Sequence, residues 1–286
     1  MPHVTRFAPS PTGLLHLGHA YSALYAERAA RSEGGRFLLR IEDIDGTRCR
    51  PEYTAAIEKD LAWLGLSWEK PVRRQSEHLE EYRHTLWRLQ EEDLIYPCFC
   101  TRNEIRREIE ASAGAPHTAA KGPDGPLYPG TCRDMDLEER GAHLGSGAPF
   151  ALRLDMERAK ERAGGPLTWR ERHVGEHVAT PELFGDVVLA RKDTPTSYHL
   201  SVVLDDHVQG VTLVTRGEDL RAATHLHCLL QALLEFEVPE YDFHDLLTGQ
   251  DGQRLAKRDK AATIQSLREA GRGPAEAIAM TGFMET

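Results

Sequence analysis

The sequence has no long apolar run and no recognisable export signal. No apolar stretch approaches about 18 residues, the length that a membrane-spanning helix requires. The first residues, MPHVTRFAPS, lack the basic start, apolar middle and small-residue cleavage site of a signal peptide. We therefore expect a cytoplasmic protein that makes no contact with a membrane.

An excess of positive charge is also missing. The 286 residues include 35 Lys and Arg against 45 Asp and Glu, which gives a formal net charge of -10. A protein that coats nucleic acid through counterion release needs the opposite balance, so that class is excluded, although a local basic groove is not. No GxxxxGK[ST] or GxGxxG string occurs, which excludes P-loop and dinucleotide-binding patterns.

Cysteine is scarce, and its distribution is uneven. The sequence holds five cysteines, an odd number, and three of them fall in one segment, at Cys98, Cys100 and Cys132. A disulfide scaffold would need paired cysteines spread along a short secreted chain. The clustering favours a metal site instead.

The length allows one large α/β domain with an insertion, or two smaller domains. A strand is predicted at 3–8 and another at 36–42, with helical spacing of apolar residues between them and Gly34 and Gly35 ending that helix. This strand, helix and strand order begins a βαβ unit.

Further along the chain, helices are predicted from Pro51, around 79–89 and over 225–236, where His225, His227 and Cys228 are interpreted as packing or surface positions. Apolar runs at 186–190, 199–204 and 211–214 are interpreted as strands that continue the sheet. The stretch ASAGAPHTAAKGPDGP is too rich in Gly, Ala and Pro for a packed element and predicts an exposed loop in an inserted domain.

The string FAPSPTGLLHLGH predicts a strand that passes through a Pro/Gly turn into a helix whose first turn carries His16, Gly18 and His19. A helix N-terminus attracts phosphate, and imidazoles there can donate hydrogen bonds to a transferring phosphoryl group. Gly18 would let a nucleotide approach the backbone. The string resembles the HIGH signature of class I aminoacyl-tRNA synthetases, in the form seen in glutamyl- and glutaminyl-type enzymes.

The basic run RLAKR at 254–258 resembles the KMSKS loop of the same family. Such a loop supplies a mobile ammonium that pairs with the ATP triphosphate, and Lys257 is the residue that carries over. The resemblance thus implies His16, His19 and Lys257 as catalytic residues and, with Gly18, as the ATP-Mg(2+) site.

Glutamate carries two carboxylates and one ammonium, so its pocket requires cations and an acceptor. The family resemblance assigns glutamate binding to the residues of RFAPS, the glutamate of RIEDID, a tyrosine in PTSYHLSVVLDD and the arginine of VTRGEDL. These are Arg6, Phe7, Ala8, Pro9, Ser10, Glu42, Tyr198 and Arg216.

Three thiolates suit one structural zinc ion, which would hold together an inserted domain too small for a strong core. On chemistry alone His117 is the better fourth ligand, since imidazole is far commoner on zinc than phenolate. The resemblance points instead to a CxC…YxxxC arrangement, with Cys98, Cys100, Tyr128 and Cys132 as ligands.

The implied fold is the class I Rossmann type, α/β with a doubly wound parallel sheet and a zinc-containing inserted domain. We place the first half of the catalytic domain at 1–95, the inserted acceptor-type domain at 96–185, the second half with the KMSKS-like loop at 186–260 and a short helical segment at 261–286.

Glutamyl-tRNA synthetases continue past the KMSKS loop into helical domains that read the anticodon, and this sequence ends at Thr286. It therefore resembles a short branch of the family that uses ATP to activate L-glutamate and esterifies it to the queuosine base of tRNA(Asp). We expect a monomer. Two alternatives are a truncated glutamyl-tRNA synthetase that charges a tRNA 3′ end and a non-catalytic RNA-binding paralogue.

Overall fold

Strands and helices alternate through the first third of the chain, as the sequence predicts. The computed structural model describes residues 2–112, 121–247 and 262–283. The elements of this part are β1 (Val4–Phe7), α1 (Leu17–Arg31), β2 (Arg36–Ile41), α2 (Pro51–Trp63), β3 (Glu69–Arg74) and α3 (Leu79–Glu91).

Shorter elements make up the middle of the chain. They are β4 (Ile95–Cys98), α4 (Arg102–Ser112), β5 (Lys121–Gly122), β6 (Gly125–Pro126), α5 (Leu137–Gly145), β7 (Ala151–Leu154), α6 (Met156–Ala163), β8 (Thr168–Glu171), β9 (Gly175–Val178) and β10 (Val188–Ala190). The remaining elements are α7 (Tyr198–Val208), β11 (Leu213–Gly217), α8 (Ala223–Leu233), β12 (Glu240–His244), α9 (Ile264–Glu269) and α10 (Pro274–Met280).

Two groups of parallel strands meet at β1 and β11. The order β1-β2-β3 is parallel throughout, and β11-β12-β8 is parallel with β9 antiparallel at its edge. The Thr212 N–H donates to the Val4 carbonyl at 3.0 Å, which joins the two groups. Strand order therefore runs in opposite directions from this junction, and in such sheets ligands bind beyond the carboxyl ends of the strands at that point.

A separate antiparallel sheet, β10-β7-β4, packs beside the parallel strands. The sequence predicts that the run 186–190 continues the parallel sheet, but its strand β10 pairs with β7 in the antiparallel sheet. Conversely, β8 comes from within the predicted insertion at 96–185 and pairs with β12. The domain boundaries remain a prediction. Strand β8 lies before the predicted boundary at residue 185 and pairs with β12, which lies after it.

The prediction of a strand at 199–204 is wrong, because this run lies in helix α7. Every residue from Leu200 to Asp206 is buried. A helix buried all round shows no amphipathic period, so its apolar run cannot be distinguished from a buried strand.

The turn between α1 and β2 requires a glycine at position 35, one of the two glycines predicted to end α1. A Cβ on Gly35 would lie 1.9 Å from the His3 carbonyl oxygen, so no side chain fits there. The Gly35 N–H caps the helix by donating to the Ala30 carbonyl at 2.8 Å. This close approach lets α1 pack directly on β1 and β2, and it fixes the N-terminus of α1 beyond the carboxyl end of β1. Among the described residues, no helix is long and apolar enough to cross a membrane.

Candidate active site at the strand ends

Helix α1 begins with an unusual cap made of two imidazoles. His16 is the N-cap residue, and its Nδ1 accepts the Gly18 N–H at 3.1 Å. His19 reaches back so that its Nδ1 accepts the His16 N–H at 3.2 Å. This is the reciprocal arrangement of a capping box, in which two otherwise unpaired backbone donors are satisfied.

The capping hydrogen bonds also fix the tautomer of each imidazole. A ring nitrogen that accepts a backbone N–H carries no proton, so the proton of a neutral ring lies on Nε2. The two rings lie with centroids 3.8 Å apart. A Cβ on Gly18 would press on the His16 ring at 3.0 Å. Gly18 therefore gives this ring room, and both histidines present Nε2 donors at the helix N-terminus.

The chain returns to this helix start after the KMSKS-like segment. The Ile264 N–H donates to the Leu15 carbonyl at 2.8 Å, and His16 and Thr263 form a β-bridge. Lys257 and the RLAKR run lie outside the described residues. The segment that follows them is therefore docked on the residues that precede α1.

Arg6, at the end of β1, is buried and paired. Its Nε lies 2.9 Å from Asp206 Oδ1, and its two NH groups donate to Asp206 Oδ2 at 3.3 Å and to the Thr215 carbonyl at 3.2 Å. Arg40 is fully buried on β2 and donates to the same Asp206 Oδ1 at 2.7 Å. Two guanidinium groups thus share one carboxylate beneath the site.

Glu42 lies directly after β2 and belongs to the same charge network. Its side chain accepts from Arg40 at 3.1 Å, and its N–H donates to the Pro9 carbonyl at 3.1 Å. Burial raises the pKa of Glu42, while the charges of Arg40 and Arg6 oppose that shift. Glu42 offers a carboxylate at the end of β2 with a single arginine contact.

Arg216, near the end of β11, forms no ion pair with the carboxylates of this charge network. One NH group donates to His227 Nδ1 at 3.3 Å and the other to Thr224 Oγ1. Its guanidinium carbon lies 5.1 Å and 5.7 Å from the ring centres of Tyr241 and Phe243. Its Nε is buried without a hydrogen-bond partner, and no carboxylate in the described part of the chain forms an ion pair with it.

Tyr198, the first residue of α7, lies within electrostatic reach of these charges. Burial raises the pKa of its hydroxyl, with Arg216 and Arg6 lowering it and Glu42 raising it. The structure therefore brings four predicted pocket residues, Arg6, Glu42, Tyr198 and Arg216, to one place. Of the other residues in RFAPS, Phe7 and Pro9 are buried, Ala8 is half-buried and Ser10 is exposed.

The predicted metal ligands also converge. The sulfur atoms of Cys98, Cys100 and Cys132 lie within 4.8 Å of one another. The Tyr128 hydroxyl lies 3.5 Å from Cys100 Sγ and accepts the Cys132 N–H at 2.9 Å. Burial raises the pKa of Cys100 to about 12. The alternative ligand, His117, lies outside the described residues.

Sequence reasoning missed the residues that hold the arginines. Asp205 and Asp206 stand at the end of the string PTSYHLSVVLDD, and a pair of acids closing an apolar run was a usable signal. Asp205 accepts from Arg73 at 2.8 Å and from Tyr82 at 3.0 Å. His227 was interpreted as a packing or surface position, and it is a buried partner of Arg216.

Comparison with known proteins agrees with this geometry. Residues 3–284 match the family described as tRNA synthetases class I (E and Q), catalytic domain. The chain is 50% identical over 285 residues to a glutamyl-Q tRNA(Asp) synthetase of Rhodobacter capsulatus, covering 98% of this chain and 100% of that protein. A glutamate–tRNA ligase of Coprothermobacter proteolyticus is 37% identical over 93% of this chain and 55% of its own length.

A solved structure is similar as well. The glutamate–tRNA ligase of Elizabethkingia meningosepticum in complex with its amino acid superposes with a TM-score of 0.79 at 28% identity. The match covers 99% of this chain, and the chain spans 61% of the length of that ligase. The parallel sheet with its helices is thus the fold of a class I synthetase catalytic domain.

Proposed function

The chain belongs to the class I tRNA synthetases of the glutamate and glutamine type, and on that premise we propose that it activates L-glutamate with ATP and transfers it to the queuosine base of tRNA(Asp). The observation that carries the glutamate assignment is the buried Arg216, whose Nε has no hydrogen-bond partner among the described residues. A buried guanidinium without a carboxylate is costly, and a substrate carboxylate would complete its hydrogen bonds.

Activation begins at the N-terminus of α1. The ATP phosphates lie against the helix N-terminus, where the helix dipole is positive, with the Nε2 groups of His16 and His19 donating to the phosphoryl oxygens as charge develops. The α-carboxylate of glutamate attacks the α-phosphorus, pyrophosphate leaves, and Mg(2+) accompanies the triphosphate. Lys257 pairs with that triphosphate, and the docking of Ile264 on Leu15 supports this assignment because it brings the segment that follows Lys257 to the helix start.

The reacting α-carboxylate must face ATP, so the side-chain carboxylate of glutamate is the one that a cation in the pocket must hold. Arg216 takes this role, because Thr224 and His227 orient two of its N–H groups and its Nε–H has no partner among the described residues. Glu42 and the hydroxyl of Tyr198 accept from the substrate ammonium. Arg6 contributes positive charge from its buried pair with Asp206.

A structural zinc ion fits the cysteine cluster. Three sulfur atoms within 4.8 Å of one another and the adjacent Tyr128 hydroxyl provide the donor set for a closed site, with Cys98, Cys100, Cys132 and Tyr128 as ligands. The ion would bind the thiols as thiolates and hold the short elements around β4 together. One ion per chain is expected, with no part in the reaction.

The acceptor follows from the relatives. Proteins named glutamyl-Q tRNA(Asp) synthetase are similar to this chain along nearly all of its length and most or all of theirs. Glutamate–tRNA ligases are similar over about half of their own length. A hydroxyl of the queuosine cyclopentenediol attacks the carbonyl of the glutamyl-adenylate, and AMP leaves. The three substrates, ATP, L-glutamate and tRNA(Asp), are cytoplasmic, so the proposed reaction takes place in the cytoplasm.

The test is to locate labelled glutamate. The purified protein receives ATP, Mg(2+), labelled glutamate and tRNA(Asp) with or without queuosine, and the tRNA 3′ end is then removed. Label that requires queuosine and survives this removal supports the proposal. Label lost with the 3′ terminal ribose identifies a truncated charging enzyme. Absence of label and of adenylate identifies a non-catalytic paralogue.

A further inference from the structure

Three side chains continue the hydrogen bonding of Arg216 away from the glutamate pocket. His227 Nδ1 lies 3.3 Å from an NH group of Arg216, and His227 Nε2 lies 3.1 Å from His199 Nδ1. His199 Nε2 lies 2.9 Å from Asp124 Oδ2. Asp124 lies in the turn between β5 and β6, so the chain of contacts runs from the catalytic sheet to a hairpin in the middle of the sequence.

These hydrogen bonds have one direction only. A guanidinium can donate but never accept, so His227 accepts at Nδ1 and carries its proton at Nε2. That proton is donated to His199 Nδ1, which leaves the proton of His199 on Nε2, facing the Asp124 carboxylate. Each imidazole is therefore held in a single tautomer, and the order of donation is Arg216, His227, His199, Asp124.

Burial and charge agree with this order. His227 is 3% exposed, and burial together with the charge of Arg216 holds its pKa well below the usual value, so it stays neutral, as an acceptor must. The hydrogen bond from His199 lowers the pKa of Asp124, so the chain ends on an anion. His199 is also held by the edge-on rings of Tyr198 and Phe184, at 5.3 Å and 5.8 Å.

We propose that His227, His199 and Asp124 are positioning residues that orient the Arg216 guanidinium for the substrate carboxylate. This inference rests on the proposed function. If His227 carried its proton on Nδ1, two donors would face each other and the guanidinium would turn away. Asp124 prevents this from a distance, because its carboxylate keeps the proton of His199 on Nε2, and His199 in turn keeps the proton of His227 on Nε2.

The test compares glutamate-dependent ATP–pyrophosphate exchange by wild type, Asp124→Ala, His227→Leu, His227→Gln and the double variant D124A/H227L, with and without tRNA. Asp124 is 60% exposed, so its removal leaves folding intact. Asp124→Ala should raise KM for glutamate about 3- to 10-fold, the range expected when one hydrogen bond is lost, here that from His199 to Asp124. KM for ATP and kcat should not change. Asp134→Ala, at an 80% exposed carboxylate paired with Arg133, is the matched control and should change nothing.

His227→Leu should raise KM for glutamate about 10- to 100-fold, because it removes the acceptor that faces a buried cation. His227→Gln should restore most of the affinity, since Gln can accept from Arg216 and donate to His199. In the H227L background, Asp124→Ala should have no further effect on KM, because residues that act through one chain are not additive.

Unchanged KM for glutamate in D124A, or full additivity in the double variant, would overturn the inference. If H227L does not fold, the comparison of D124A with D134A still decides. Failure of the proposed function is a separate outcome, since it would appear as no glutamate-dependent exchange by the wild type.

Discussion

Arg6 and Asp206 lie 200 positions apart and form a buried two-contact ion pair, with Nε 2.9 Å from Oδ1 and an NH group 3.3 Å from Oδ2. Arg6 is at the carboxyl end of β1 and Asp206 is on α7. Arg40, from the neighbouring strand, contacts the same carboxylate. The pair therefore joins the two halves of the fold at the junction where the substrates are expected to bind.

Removal of this carboxylate should be strongly destabilising. Asp206→Asn keeps the shape but leaves Arg6 and Arg40 buried without their shared anion, which costs about 3–5 kcal/mol of unfolding free energy. Urea unfolding followed by circular dichroism measures this loss. Glu69→Gln breaks the exposed pair with Arg36 and should cost below about 1 kcal/mol. Equal losses in the two variants would contradict the role of the buried pair.

The same carboxylate predicts a pH dependence. Burial alone would raise the pKa of Asp206, but the guanidiniums of Arg6 and Arg40 hold it below its usual value. The stability that it provides is therefore present above about pH 4, the ordinary Asp value, and is lost as pH falls through the lower folded value. As pH falls below about 4, the unfolding free energy of wild type should decrease more steeply than that of Asp206→Asn. Parallel curves would be inconsistent with a lowered pKa.

Substitutions can separate the capping of α1 from its chemistry. Asn is a good N-cap and Gln a good third helical residue, so His16→Asn with His19→Gln should keep the reciprocal cap. This double variant loses both imidazole rings and the donors that they present to the phosphoryl group, so its pyrophosphate exchange rate should fall about 100-fold or more while unfolding free energy changes by less than about 1 kcal/mol.

The companion variant, alanine at both positions, removes the cap as well and should be less stable by about 1–2 kcal/mol. If the Asn/Gln variant exchanges pyrophosphate at the wild-type rate, the two histidines act only as caps. Both variants are measured at saturating ATP and glutamate.

Local patterns predicted β1, α1 and β2, the elements next to the proposed phosphate site, because Pro- and Gly-containing turns separate them in the sequence. The residues predicted for the glutamate pocket also lie together, since Arg6 and Arg216 are near the ends of β1 and β11, Glu42 follows β2 and Tyr198 starts α7. Helix α7 was missed because it is buried on all sides.

The sequence marks Asp205 and Asp206 as unusual, but it does not predict which residues they contact or which residues contact Arg216. These contacts join residues as far apart as Arg40 and Asp206, and no local period records such a contact. His227 shows the same limit, since a histidine in an apolar helix is usually a packing residue, and its partners Arg216 and His199 come from β11 and α7.

The cysteine cluster should bind zinc stoichiometrically. Purified protein is expected to hold about one zinc per chain by elemental analysis, and Cys98→Ser or Cys132→Ser should lower this value strongly, because a closed site needs all its ligands. Cys49→Ser is the control, since Cys49 lies outside the cluster. Chelation should make residues around β4 more sensitive to protease. Zinc content unchanged in the cluster variants would rule out this site.

Arg216 itself can be tested by a substitution that keeps its charge. Arg216→Lys keeps the charge but replaces a planar group with five donors by a single ammonium, which cannot satisfy Thr224, His227 and a substrate carboxylate together. KM for glutamate should rise about 10- to 100-fold, the range for a lost charge-assisted hydrogen bond, while KM for ATP stays constant.

Arg221→Lys provides the matched control for this substitution. Arg221 also lies over Phe243, at 4.2 Å, but its charge is already paired with Glu171. Its replacement should leave both KM values at the wild-type level. If Arg216→Lys binds glutamate as wild type does, the buried guanidinium is part of the core rather than the pocket, and the carboxylate of glutamate must be held by a different cation.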